Sequence, residues 1–169
     1  LVDGAVVTRQ LSFFHDRMQE AAYRSLPGDQ IAPLHHRIGR LLLEKLPPDE
    51  RERRVVDIVG HLNRAADRLQ TPTERLELAQ LNLASARRAK SSAAFDAALE
   101  YLRAGMHKLP EDLWQSEPDL AFHLYRERAE LEYLNSRFEQ AEHYCYDAIE
   151  REPDIHRQVD LHHMLVMQY

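Results

Sequence analysis

Apolar residues recur at three- and four-residue intervals along most of this chain, and the pattern is clearest between positions 93 and 110. Phe95, Ala98, Leu102 and Gly105 fall there on one stripe of an α-helix. The stripe is narrow and mostly small, so a second helix can approach closely. Pro110 is expected to end the run, because proline cannot continue the hydrogen-bond ladder. The pattern returns 43 positions later, where Phe138, Ala141, Cys145, Ala148 and Pro153 repeat Phe95, Ala98, Leu102, Gly105 and Pro110. An internal repeat of this length predicts tandem helix pairs.

The rest of the chain reads as further helices. Val6, Val7, Leu11, Phe13 and Phe14 are β-formers behind an Asp3-Gly4 turn signal, so one or two short strands are expected in residues 1–14. A helix is expected from His15 to about Leu26, where Pro27-Gly28 breaks it. Asp29 is the expected N-cap of the next helix. Its apolar side is Ile31, Leu34, Ile38, Leu41 and Leu42, and Pro47-Pro48 ends it. Another helix opens at Pro48 or Asp49 and runs to about Leu69, with a bend expected at Gly60. Thr71-Pro72-Thr73-Glu74 is a start signal for a helix reaching about Ser91. Ser91-Ser92 turns the chain into the Ala93 helix. A linker with a short helix near Trp114 follows, then a helix from Asp119 to Leu134 and a tight Asn135-Ser136 turn. Phe138–Glu150 is the repeated second helix. The stretch from Ile155 to Tyr169 reads as the first helix of a third pair. One pair buries too little surface to stand alone, so pairs must stack and offer an extended groove.

Composition narrows the function classes. The 169 residues carry a formal net charge of −6, which argues against a general nucleic-acid binder. No apolar run approaches the ~20 residues that span a bilayer, and no signal peptide is visible. The lone Cys145 excludes an internal disulfide and fits a reducing, cytoplasmic setting. The chain opens on Leu1 without a methionine and closes on Tyr169 inside an apolar run, so it is expected to be a fragment of a larger protein.

The segment from Ala79 to Pro153 resembles the tetratricopeptide repeat. Ala86 and Ala129 stand at the small position of its first helix, and Ala98 and Ala141 at the alanine of its second. Leu102 and Cys145 replace the usual aromatic, and Asn82 and Tyr125 the usual tryptophan. The resemblance implies an all-α, TPR-like superhelix of antiparallel pairs. The strings LSFFHDRMQEAAYRSLP and LHHRIGRLLLEKLP are a second carrier. They resemble the helical region of bacterial and fungal signalling ATPases of the STAND class, as found in multidomain proteins that join a serine/threonine-kinase-like domain, the ATPase, helical repeats and a sensor histidine kinase. Phe14, His15, Asp16, Arg17, Ala21, Ala22 and Tyr23 match the first string, and His35, Ile38, Gly39 and Leu42 the second. That resemblance implies residues 1–70 as the end of a winged-helix-like segment with connecting helices. Residues 71–169 would be the TPR-like repeats.

Candidate chemistry is sparse. Ten histidines invite a metal hypothesis, but His35-His36 and His162-His163 are adjacent pairs that point about 100° apart on a helix, and no HExxH string exists. There is no GxxxxGK[ST] or GxGxxG, so neither ATP nor another cofactor is expected here. His15-Asp16-Arg17 imitates a kinase catalytic loop but lacks the asparagine that should follow. These three residues are instead candidates for contact with a neighbouring domain, as the STAND resemblance implies. Tyr125 and Tyr133 are candidates for a partner groove. The expectation is a non-catalytic interaction and relay module of a larger ATPase or sensor kinase, whose partner is a neighbouring domain, a protein or a peptide. The alternative is a structural spacer or oligomerisation element.

Overall fold

The computed structural model describes residue 21 and residues 23–167, and among these every regular element is helical. In order they are α1 (Gly28–Lys45), α2 (Pro48–Arg53), α3 (Val55–Arg64), a 3₁₀ turn (Ala66–Arg68), α4 (Pro72–Ser91), α5 (Phe95–Met106), α6 (Leu113–Ser116), α7 (Pro118–Leu134), α8 (Phe138–Arg151) and α9 (Ile155–Met167). The all-α expectation holds for these residues. The strands expected in residues 1–14 lie outside them.

Three sequence expectations need correction. Asp29 does not cap α1. The helix starts two residues earlier, at Gly28 behind Pro27, whose carbonyl accepts from Gln30 N–H at 2.9 Å. Asp29 then lies in the first turn, where its carboxylate favours the positive helix end. The single helix expected from Pro48 to Leu69 is broken at Arg54 (φ −105°, ψ 17°) and again at Ala65 (φ −114°, ψ 13°). Gly60 lies inside the continuous helix α3. The break has a burial reason. α2 is PDERER and buries nothing, whereas α3 buries Val55, Ile58, Val59 and Leu62 and must point that face inward. The third correction concerns Ala93, which is not helical but left-handed at φ 57°.

That residue has a twin. Ser136, 43 positions on, has φ 58°, and these are the positive-φ non-glycine residues of the described chain. Each sits one residue past its helix cap in the same hydrogen-bond pattern. Ala94 N–H donates to Ala89 carbonyl (3.0 Å) and Ala93 N–H to Lys90 carbonyl (2.9 Å). Arg137 N–H donates to Glu132 carbonyl (2.8 Å) and Ser136 N–H to Tyr133 carbonyl (2.8 Å). Both connections are Schellman turns that reverse the chain in three residues. The repeat thus extends to backbone dihedrals, and it pairs α4 with α5 and α7 with α8. At the other end of α4, Thr71 and Glu74 form a capping box with Pro72 in the first turn, as the sequence signal predicts. α5 ends at Met106, before Pro110 is reached, and α8 at Arg151, just short of Pro153.

The small stripe packs as expected. Ala86, Ala98, Ala129, Ala141 and Ala148 are fully buried. A Cβ on Gly105 would lie 2.8 Å from Asn82 Cβ and 3.5 Å from the Ala79 backbone, so α5 meets α4 nearly backbone to backbone. Leu83, Leu99, Leu102, Leu124 and Leu131 surround this contact in one core with Leu113 and Trp114 of α6. Each such buried leucine contributes about 1.5–3 kcal/mol. A second core joins Ile58, Leu62 and Leu69 to Leu78 of α4, with Leu42 and Leu43 of α1 and Leu46 just past its end against it. α3 and α4 therefore share a core across position 70.

Candidate interaction surface

The surface is built where α4 meets α1, α2 and α3. A cleft of about 730 Å³ opens there, lined by Leu43, Arg51, Glu52, Val55, Glu77, Gln80, Leu81, Ala84 and Arg88. α2 lines one side of it through Arg51 and Glu52, and α4 the other through Gln80, Leu81, Ala84 and Arg88. Leu43, Val55, Leu81 and Ala84 supply an apolar floor. The rim charges are largely engaged within the protein. Arg88 donates to the Glu52 and Arg53 carbonyls (3.2 and 2.8 Å), Arg51 donates to the Leu46 carbonyl (2.7 Å), and Arg40 pairs with Glu77. A partner would therefore gain mostly from covering the floor. A second, polar recess of about 530 Å³ is lined by His36, Asp67, Arg68, Gln70, Thr71 and Glu74.

Behind the cleft, charged groups tie successive pairs together. Glu127 of α7 is buried, accepting from Arg87 Nε (2.8 Å) and Lys90 Nζ (2.6 Å) of α4. Burial pushes its carboxyl upward, but the bonds from Lys90 and Arg87 outweigh this and hold it below the usual range. Glu132, also buried, takes Arg128 at 2.7 Å, with Arg103 and Arg137 at 3.8 and 3.6 Å. Arg157 of α9 pairs with Asp119 of α7 and lies 4.8 Å over the Phe122 ring.

The candidate tyrosines have separate partners. Tyr125 meets Trp114 and Tyr144 edge-on, at ring separations of 5.2 and 5.9 Å, and its hydroxyl accepts from Arg151 at 3.4 Å. Tyr133 meets Phe138 edge-on at 5.5 Å, across the Schellman turn. Both are half-buried, about two turns apart on α7. His15, Asp16 and Arg17 lie outside the described residues.

One arrangement escapes sequence reading. His35 of α1 and His61 of α3 place their Nδ1 atoms 2.8 Å apart, and Tyr23 Oη lies 3.0 Å from His35 Nε2. Only one of the two facing nitrogens can carry the shared proton. Burial lowers the pKa of both histidines; the Arg64 charge adds to this at His35, and the neighbouring His35 and then Arg64 add to it at His61. Among the described residues no three His, Cys, Asp or Glu side chains converge on a metal-sized site. Cys145 is buried, and burial pushes its thiol up to about 11, so it is not a ready nucleophile. Among the described residues, no helix is long and apolar enough to cross a membrane.

Comparison with known proteins gives one relevant likeness. The chain is 24% identical over 163 aligned positions to hybrid signal transduction histidine kinase G of Dictyostelium discoideum. The match takes in 82% of this chain and 5% of that protein's length. No family model matches the chain, and no solved structure matches it.

Proposed function

We propose that this chain is a non-catalytic helical-repeat interaction module of a larger signal-transduction protein, relaying between an ATPase switch and a signalling output. The observation that carries this reading is the likeness to a histidine kinase, which takes in most of this chain but a small part of that relative. The architecture supports it. The described helices form a small-residue-packed stack, and the cleft floored by Leu43, Val55, Leu81 and Ala84 offers apolar area without a reactive group. Relay would follow from a neighbouring domain docking on that floor in one state of the switch and leaving it in the other. A cytoplasmic location and the absence of bound cofactor belong to this reading.

The test is Ala84→Arg in the intact gene product. Ala84 is exposed and lines the cleft, so the substitution fills the cleft without touching the core. The reading expects altered nucleotide turnover or phosphotransfer with unchanged melting of the helical region. Unchanged output at unchanged stability would count against it. The second reading, a structural spacer or oligomerisation element, draws on the exposed apolar residues of α9.

A further inference from the structure

The cleft between α2 and α4 lies in the cationic part of an acidic chain. Residues 28–91, which supply its whole lining, hold 12 Lys and Arg against 9 Asp and Glu. Residues 92–169 hold 7 against 16. Four charged side chains line the cleft itself, and they are not equally neutralised. Glu77 is paired with Arg40. Arg51 and Arg88 bond to neutral acceptors: Arg51 Nε donates to the Leu46 carbonyl at 2.7 Å, and Arg88 Nη1 to the Glu52 and Arg53 carbonyls at 3.2 and 2.8 Å. These bonds hold both guanidiniums in place without cancelling their charge. They also leave other N–H groups of each guanidinium as donors. Glu52 is the opposing carboxylate, so the lining keeps two cations against one anion.

The shape narrows the occupant further. On the α4 side, Glu77, Gln80, Leu81, Ala84 and Arg88 form one stripe of three turns, about 16 Å long. Its middle, Leu81 and Ala84, is apolar and shares the floor with Leu43 and Val55. Helices present no sheet edge, so an occupant must satisfy its own backbone groups, as a helix does. We infer that the cleft takes an amphipathic helix of about three turns whose aliphatic face is flanked by carboxylates. The aliphatic face covers the floor, and the carboxylates reach Arg51 and Arg88. The floor supplies most of the affinity, and the charge decides which partner is taken. The inference names the partner chemistry of the docking reading proposed above and rests on it.

Fluorescence anisotropy of the 169-residue chain with two labelled helical peptides tests it. Both peptides carry leucines at i, i+4, i+7 and i+11; one flanks them with glutamates, the other with lysines. The glutamate peptide should bind at least roughly tenfold more tightly at about 50 mM salt, an advantage that shrinks at about 0.5 M. Arg51→Glu should weaken it about fivefold or more, and Glu52→Gln should tighten it, with unfolding midpoints unchanged. Equal binding of the two peptides, weakened alike by Ala84→Trp, would overturn the inference while leaving a docking floor in place. Binding of neither peptide would also overturn it, and Ala84→Arg in the intact gene product then judges the docking reading separately. Self-association of the chain that is lost on Arg51→Glu would assign the cleft to the acidic half of a second copy, and that too would overturn it.

Discussion

Asn63 and Asn82 exchange their side-chain amides, each NH₂ donating to the other's oxygen at 2.9 Å. Asn82 is fully buried on α4, and its NH₂ also donates to the Leu78 carbonyl at 3.0 Å. Asn63 belongs to α3. The bond therefore joins the segment before position 70 to the helix pairs after it. The small asparagine also leaves room for Gly105, whose added Cβ would fall 2.8 Å from Asn82 Cβ.

Two glycine substitutions should therefore have opposite signs. Gly105→Ala gains helix propensity but forces α5 off α4, so it should cost about 1–3 kcal/mol net. Gly60→Ala meets only the Arg64 guanidinium, at 3.6 Å, inside α3. It should stabilise by up to about 1 kcal/mol. Urea denaturation of the two variants checks this, and a stabilising Gly105→Ala would contradict the close packing.

Ala93→Gly and Ser136→Gly should each stabilise the chain. Both positions have φ near 60°, where a Cβ is strained and glycine is not. A gain of roughly 1 kcal/mol at each is expected, additive in the double variant because the turns lie in different pairs. Melting temperatures of the single and double variants provide the measurement.

Much of this architecture is legible in the sequence, for reasons that vary by residue. The Thr71–Glu74 capping box and the buried Ala86, Ala98, Ala129 and Ala141 follow from local spacing, which local physics determines. The left-handed Ala93 is hidden because alanine carries no turn signal; only its twin at Ser136 betrays the geometry. The break at Arg54 is hidden because it answers to what α3 must bury, and Gly60 was the more conspicuous residue. The cleft is equally hidden, because its lining comes from residues as far apart in sequence as Leu43 and Arg88. His35 and His61 are 26 positions apart, and nothing in either neighbourhood announces that they meet. Tyr125 and Tyr133 are candidates for a partner groove by residue type, and spacing alone does not reveal that each already has an aromatic partner.

The histidine pair gives the fold a pH dependence of definite sign. His35 and His61 both titrate below their ordinary 6.5 in the folded chain. The unfolded chain then binds more protons, so stability is complete above about pH 6.5 and is lost as pH falls through the lowered folded values. His123 shifts in the same direction, chiefly through burial, and adds to the slope. Urea midpoints at pH 7.5 and 5.5 should fall on acidification. His61→Gln should reduce that fall by removing one titrating member of the pair, and an unchanged fall would show that the pair does not titrate as described.

The buried carboxylate on α7 should matter more than the exposed pairs. Glu127→Gln keeps the shape but removes the charge that Arg87 and Lys90 share. A loss of roughly 1–3 kcal/mol is expected. Arg53→Ala, which breaks an exposed pair with Asp49, should change stability by less than about 1 kcal/mol. Equilibrium unfolding of both variants decides whether α4 and α7 are held by this contact.

The central claim is that this helical stack docks a neighbouring part of its own signalling protein through the cleft between α2 and α4. Calorimetric titration of the 169-residue chain with the remainder of the gene product tests it most directly. Saturable one-to-one binding that Ala84→Arg weakens at least roughly tenfold, with the variant's unfolding midpoint unchanged, is the predicted result. Absence of binding, or binding indifferent to Ala84→Arg, would contradict it.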